Sequence, residues 1–205
     1  KLLSGESVAL VSDAGTPLIS DPGYRIVRLA QDSGITVIPI PGASAMLAAL
    51  SVSGLATDRF VFVGFIKKKA RKKQLQLLAQ ESGTVIMYEA PHRVIDLMND
   101  MLEVLGPDRT VVIARELTKR FEQVIAARLP EQLANLENGT IPAKGEFVIL
   151  LEGATVDFDE NQADEILRLL LTELAVSKAV GLAAKLTGLS RNELYQRALV
   201  ISDAS

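Results

Sequence analysis

Short runs of β-branched and aromatic residues recur along this chain, and several of them end at clusters of Gly, Pro, Ser and Asp. The first two, at Ser7–Val11 and Ile35–Ile40, each precede a segment of helical period, near Tyr24–Ser33 and near Ser44–Ser53. A short apolar run followed by an amphipathic helix, repeated, predicts an α/β fold with parallel strands. From Phe60 onward the rhythm changes. FVFVGF, TVIMYE, TVVIARE, FEQVIAAR and EFVILLEG read as strands, with helices near Ala70–Gln80, Pro91–Leu105 and Pro130–Leu136. Pro91 and Pro130 suit a first helical turn, where a missing N–H costs little. Only Leu117–Arg120 separate TVVIARE from FEQVIAAR, too few residues for a helical crossover. Those two strands must pair antiparallel, so the sheet is mixed.

The 205 residues are 48% hydrophobic, enough for one large or two small cores, which excludes a disordered chain. With no Cys and a single His, a disulfide framework, a thiolate metal site and a multi-histidine centre are all excluded. No apolar run approaches membrane-spanning length, and KLLSGESVAL lacks the features of a signal peptide. The expectation is a cytoplasmic protein with no membrane partner. The chain opens on Lys1 rather than Met, and its first residues read as the tail of a helix leading into a strand. A preceding strand unit is therefore expected ahead of Lys1. Three domains are expected: 1–56, the remainder of an N-terminal α/β domain; 57–153, a second α/β domain with the mixed sheet; and 154–205, an acidic linker followed by a helical bundle.

The formal charge is −3, but its distribution is uneven. Residues 60–119 carry ten basic and seven acidic side chains, and KKKARKK (Lys67–Lys73) holds six of those cations. In an acidic chain, such a run directly after a strand and a Gly points to a polyanion. Glu152–Glu165 has six carboxylates and no cation, which reads as a solvated linker. Beyond it, Ile166, Leu169, Leu170 and Leu174 form one apolar stripe and Ala179, Val180, Ala183 and Ala184 another. Ser190 and Glu193 form a capping box that starts a third helix through Leu199. Three short helices with a tight Gly turn resemble a helix-turn-helix. With Arg191 and Arg197 the only cations on the last helix, the plainer reading is a cap that packs or dimerises.

The densest unusual sequence is SDAGTPLISDPG, Ser12–Gly23, directly after an apolar run. In open α/β sheets ligands bind beyond the carboxyl ends of strands, and small residues there let the backbone approach them. PGASA at Pro41–Ala45 has the same placement, so both loops are expected along one sheet edge. Neither matches the dinucleotide or phosphate-loop glycine patterns. MYEAPHRV ends another strand with Tyr88, Glu89, His92 and Arg93, an acid, base and anion clamp in outline. ARELTK at Ala114–Lys119 ends a further strand in charge. Two charged strand ends imply a cleft.

SDAGTPLISDPG, PGASA, YEAPHR, ARELTK and KGEF, in this order and spacing, resemble the tetrapyrrole-methylase-like (class III) S-adenosylmethionine methyltransferases over essentially the whole chain. YEAPHR with ARELTK resembles the branch that methylates a cytidine ribose 2′-hydroxyl in 16S ribosomal RNA of the small subunit. The resemblance implies two α/β domains with S-adenosylmethionine in the cleft between them, a homodimer, and the small ribosomal subunit as partner. It places the cofactor at Ala14, Gly15 and Thr16, with Asp13 and Ile19 beside them, then at Ser44 and Ala45, and later at Glu89 and Leu117. Thr16 stands where the family carries Asp, and Glu89 where its tetrapyrrole enzymes carry Met. Glu89, His92 and Arg93 are then the catalytic candidates. Lys67, Lys68, Lys69, Arg71, Lys72, Lys73, Arg115 and Lys119 are the expected RNA contacts. A tetrapyrrole methyltransferase, which has no need of the basic run, and a non-enzymatic nucleic-acid-binding protein built on the tail are the competing readings.

Overall fold

The structure, a computed structural model, describes residues 1–154 and 160–203. They divide into two compact units, Lys1–Ala154 and Thr155–Ser205. The first carries helices α1 (Tyr24–Asp32) and α2 (Ala45–Val52), strand β1 (Phe60–Phe65), α3 (Arg71–Leu78), β2 (Thr84–Glu89) and α4 (Val94–Leu105). It continues with β3 (Thr110–Arg115), β4 (Gln123–Arg128), α5 (Leu129–Glu137) and β5 (Phe147–Leu151).

One sheet runs in the order β1-β2-β5-β3-β4. β1 and β2 are parallel, and every other pair is antiparallel, β3 with β4 among them. The position of each strand follows from its side chains. FVILL is apolar throughout, and β5 lies mid-sheet with every residue buried, whereas β4, with Gln and Arg at its ends, lies on the edge. Alternation then sorts the strands into two faces. Val85, Met87, Val111, Ile113, Ile149 and Leu151 pack under Leu75, Leu97, Met98, Met101 and Leu129 of α3, α4 and α5. Ile86, Val112, Ala114, Val148 and Leu150 form the opposite face and meet Ala49 and Leu50 of α2.

Three expectations need correction. Ser7–Val11 and Ile35–Ile40 are not strands, and Val8, Val11, Ile38 and Ile40 are exposed. A strand exists only where a neighbour takes its backbone hydrogen bonds, and neither segment lies along the edge of the described sheet. Pro91 sits in a turn before α4, which begins at Val94, while Pro130 does occupy the first turn of α5. The acidic stretch is not all linker: Glu160–Leu171 is helix α6, and residues 155–159 lie outside the described ones.

The second unit adds α7 (Val176–Thr187) and α8 (Arg191–Asp203). Ala163, Leu167, Val180, Ala183, Leu194 and Ala198 form its core. The α6 stripe is therefore centred one residue away from expectation, on Leu167, with Leu169 72% exposed. Ser190 Oγ accepts the Glu193 amide at 3.2 Å, half of the capping box, and Gly188 ends α7 in a left-handed conformation. No helix among the described residues is long and apolar enough to cross a membrane.

One buried side chain ties α5 to the sheet. Gln132, fully buried, donates Nε2 to the carbonyls of Val111 (2.8 Å) on β3 and Ile125 (2.6 Å) on β4. Gln132→Ala leaves both acceptors short of a donor in a dry site, a loss of about 2–3 kcal/mol. Urea unfolding is expected to show a lower midpoint with an unchanged slope.

Candidate active site

The two small-residue loops meet without the strands expected beneath them. Thr16 donates Oγ1 to the Ala43 carbonyl at 3.0 Å, tying Ser12–Gly23 to Pro41–Ala45. Leu18 and Ser20 hold left-handed backbone (φ 73° and 56°), conformations that cost a non-glycine residue energy and collect at functional sites. Both loops open onto a cavity of about 460 Å³, whose far side is formed by Tyr88–Pro91 at the end of β2 and by Gly145–Val148 at the start of β5. The last pair is a consequence of topology. β5 runs antiparallel to its neighbours, so its first residue, Phe147, pairs with Glu89 and Arg115, the last residues of β2 and β3.

Glu89 lines this cavity beside Asp13, Asp21 and Glu146, and its wholly buried side chain turns toward Arg71 and Arg93. Its Oε1 accepts the Ala90 amide at 2.8 Å and pairs with Arg93 Nε at 3.2 Å. Its Oε2 lies 4.0 Å from Arg71 and has no hydrogen-bond partner. Arg71, 1% exposed, also pairs with Asp100 of α4 at 3.0 Å. Arg93 donates its other arm to the Ile66 carbonyl. Two guanidiniums therefore compensate two carboxylates inside the protein. Tyr88 stands beside Glu89, and its rings contacts are edge-to-face, with Phe62 at 5.0 Å and Phe65 at 5.7 Å. Burial pushes the Tyr88 phenol above its usual range, against a lesser opposite effect of a backbone hydrogen bond with Met46.

A second carboxylate clamps the loops. Glu116, itself left-handed at φ 52°, accepts Lys119 Nζ (2.8 Å) and the Glu146 amide (3.0 Å) on Oε1, and its own amide donates to the Glu146 carbonyl (3.0 Å). Gly145 makes this approach possible. Its φ is 89°, and a Cβ there would lie 2.4 Å from Glu116 Oε1, so any side chain would displace the carboxylate. The hydrogen bonds from Lys119 and then from the Glu146 amide hold Glu116 below the ordinary carboxylate range, and those to the carboxylates of Glu116 and then Glu146 hold Lys119 above the ordinary lysine range.

Asp13, Ala14, Gly15, Thr16, Ile19, Ser44, Ala45 and Glu89 all line the one cavity. Other candidates stand elsewhere. Leu117 packs with the Ala49–Leu50 side of the core rather than lining the cavity. His92 is exposed in the turn before α4 and does not line the cavity. Arg93 is committed to Glu89 and Ile66. Among the proposed RNA contacts, Arg71 is buried. Arg115 is too, with its guanidinium spent on Lys144 O, Phe121 O and Gln123 Oε1. Lys68 pairs with Asp96, Lys72 with Glu103, and Lys119 with Glu116 and Glu146. Lys67, Lys69 and Lys73 are exposed and form no ion pair among the described residues. The sequence reading assigned no role to Phe65, Tyr88 or Gly145–Phe147 in the cavity, although KGEF had marked the last of these.

Residues 1–133 match the family described as Tetrapyrrole (Corrin/Porphyrin) Methylases, and residues 157–202 match the RsmI C-terminal HTH domain. The second match gives the helix-turn-helix reading of the tail a family counterpart. Proteins named ribosomal RNA small subunit methyltransferase I are similar throughout. The one from Pseudomonas aeruginosa is 47% identical, covering 97% of this chain and 73% of that protein. The Xylella fastidiosa protein is 51% identical over 95% of this chain and 73% of its own length, and that of Escherichia coli O157:H7 is 45% identical over 97% and 71%. Among solved structures, cobalt precorrin-4 methyltransferase CbiF aligns with a TM-score of 0.52 at 16% identity, covering 67% of this chain and 61% of that one. The methyltransferase CobJ aligns at 0.51 and 19%, covering 68% and 62%. These two establish likeness of fold, over less than two thirds of each structure's length.

The clamp titrates in a defined direction. Because Glu116 is lowered in the folded protein, its contribution is present above its unfolded value and is lost as pH falls through the folded one. Lys119 is raised, so its contribution is complete below its unfolded value and lost as pH rises through the folded one. The protection factor of the Glu146 amide against hydrogen exchange is expected to step down in acid, and Glu116→Gln is expected to abolish that step.

Proposed function

The chain belongs to the tetrapyrrole methylase family of S-adenosylmethionine-dependent methyltransferases, and from that premise we propose that it methylates ribosomal RNA, at a cytidine ribose 2′-oxygen of the 16S RNA in the small subunit. We further propose that it acts in the cytoplasm as a homodimer. The observation that carries the RNA reading is the 47% identity, over 97% of the chain, with a protein named as a methyltransferase of small-subunit ribosomal RNA; the cytidine 2′-oxygen rests on the motif resemblance.

The residues present fit the cofactor. A cavity of about 460 Å³ has the size of a small-molecule site. One lining residue, Ser44, holds a buried Oγ with no hydrogen-bond partner, which a ligand rich in N–H and O–H groups supplies. Ala14, Gly15, Thr16, Ile19, Ser44 and Ala45 would hold S-adenosylmethionine against Glu89. When bound, this cofactor supplies a methyl group on a cationic sulfonium.

A ribose hydroxyl that received the methyl group would have to give up its proton, and what this chain must supply is alignment of that hydroxyl and a group to accept the proton. Glu89 is suited to that hydroxyl. Its Oε1 accepts the Ala90 amide and lies in ion-pair range of Arg93, which fixes the carboxylate, and its Oε2 has no hydrogen-bond donor of its own. His92, exposed and away from the cavity, has no part in this step.

The test is single-turnover methylation of unmodified small ribosomal subunits by the full-length protein with labelled cofactor, followed by mapping of the modified nucleotide. Glu89→Gln is expected to lose roughly 10²-fold in rate, while His92→Ala keeps the parental rate. Label on a base, or none on RNA, would overturn the reading. Salt dependence supplies a separate check. With three unpaired lysines in the basic run rather than six cations, replacing Lys67, Lys69 and Lys73 by Ala is expected to flatten the slope of log affinity against log salt by about 2 for single-stranded RNA.

A further inference from the structure

We propose that Phe65 is a stacking platform for an unpaired RNA base at the mouth of the cavity, with Lys67 and Lys69 taking the adjacent phosphates. The inference rests on the RNA reading above and extends it to how the nucleotide is held. It begins with an irregularity in β1. Phe62 is paired with Ile86, but Gly64 is paired with Met87 and Phe65 with Tyr88, so Val63 is an extra residue, a bulge. Without it, strict alternation would put Phe65 on the face opposite Phe62, under the helices with Val63 and Met87. The bulge turns Phe65 onto the cavity face, the re-aiming that bulges beside functional sites perform.

Two further costs are incurred at the same place. Gly64 is left-handed at φ 63°, and a Cβ on it would lie 2.8 Å from Ser20 Oγ, so the left-handed Ser20 loop closes against a position only glycine can occupy. Phe65 itself remains 51% exposed while it lines the cavity. A packing role would bury the ring. Instead Tyr88 props it edge-to-face at 5.7 Å, which fixes its orientation and leaves ring surface open. An exposed aromatic with unpaired cations two and four residues further on is a combination that holds single strands, stacking the base and neutralising the backbone. The cations also bear on the choice of ligand: S-adenosylmethionine carries a purine and a single carboxylate but no phosphate, so two exposed, unpaired lysines match a run of phosphates better than they match the cofactor. A ribose hydroxyl can reach the cavity only if its nucleotide leaves the stack, and a platform at the mouth repays part of that cost.

The experiment measures two affinities in the parent protein and in its Phe65→Leu and Phe65→Trp variants. One is for a ten-nucleotide single-stranded RNA by fluorescence anisotropy, beside an abasic ribose-phosphate oligomer of equal length. The other is for S-adenosylhomocysteine by calorimetry. Phe65→Leu is expected to weaken RNA binding roughly tenfold or more, Phe65→Trp to restore it, and S-adenosylhomocysteine affinity to stay within about twofold of the parent. The abasic oligomer is expected to bind parent and Phe65→Leu alike. Loss of S-adenosylhomocysteine affinity with RNA binding intact would assign the ring to the cofactor and overturn the proposal. So would a Phe65→Leu protein that binds both ligands as the parent does, with the RNA reading untouched. A parent that binds S-adenosylhomocysteine but no RNA would overturn both readings together.

Discussion

Glu89 ends β2 with its carboxylate inside the protein, where an uncompensated charge costs several kcal/mol. Arg71 and Arg93 approach it from α3 and from the turn before α4, and Asp100 of α4 balances the second guanidinium. The four charges sum to zero. Each partner belongs to a different piece of the chain, so the start of α3, the end of β2 and α4 are held in fixed relation by a need to keep charge paired. Breaking such a set by removing one member is far more costly than never having built it. The set is held by charge more than by hydrogen bonds: Arg71 Nε, one Arg71 terminal nitrogen, Arg93 Nε and Glu89 Oε2 are buried with no hydrogen-bond partner, and Glu89 is the member that lines the cavity.

Around this fixed centre the loops are strained. Leu18, Ser20, Glu116 and Thr118 are the non-glycine residues with left-handed backbone among the described ones, and they fall in just two loops, one of which lines the cavity while the other is clamped to its rim. Local preference is violated where the site is and obeyed elsewhere: alternation in β2, β3 and β5 separates the two core faces cleanly. That contrast is what a funnelled sequence looks like when function overrides local rules at a few positions.

The same contrast explains what could be read from the sequence. The five strands of the sheet, its mixed character and the antiparallel β3–β4 pair followed from apolar runs and one short connection, because those are local signals. SVALV and ITVIPI carried the same signal and are not strands, since apolar content says only that a segment can be buried, not that a partner edge is there. Eight of the residues matched to the cofactor site by resemblance share one cavity. Phe65 and Gly145–Phe147 escaped because their placement depends on a register shift in β1 and on β5 inserting antiparallel between β2 and β3. Neither is written in composition or spacing. Arg71 was misjudged for a similar reason: in a run of six cations, nothing local distinguishes the one that turns inward.

That inward turn also reconciles two demands which would otherwise conflict. On the proposed reading, the cavity receives a cationic sulfonium and the surface beside it receives a polyanion, so a uniformly basic region would repel one ligand in attracting the other. Helical geometry separates the two tasks. Arg71 and Leu75, four residues apart, share the buried face of α3, while Lys72 and Lys73 point to solvent. Lys68 and Lys72 are matched by Asp96 and Glu103 of α4, which leaves Lys67, Lys69 and Lys73 as the outward field. The guanidinium that turns inward, that of Arg71, is already balanced by Glu89 and Asp100. The basic run is therefore two structures in one segment, a screened internal anchor and a small external patch, and the helix backbone between them keeps the attraction for phosphate on the outside.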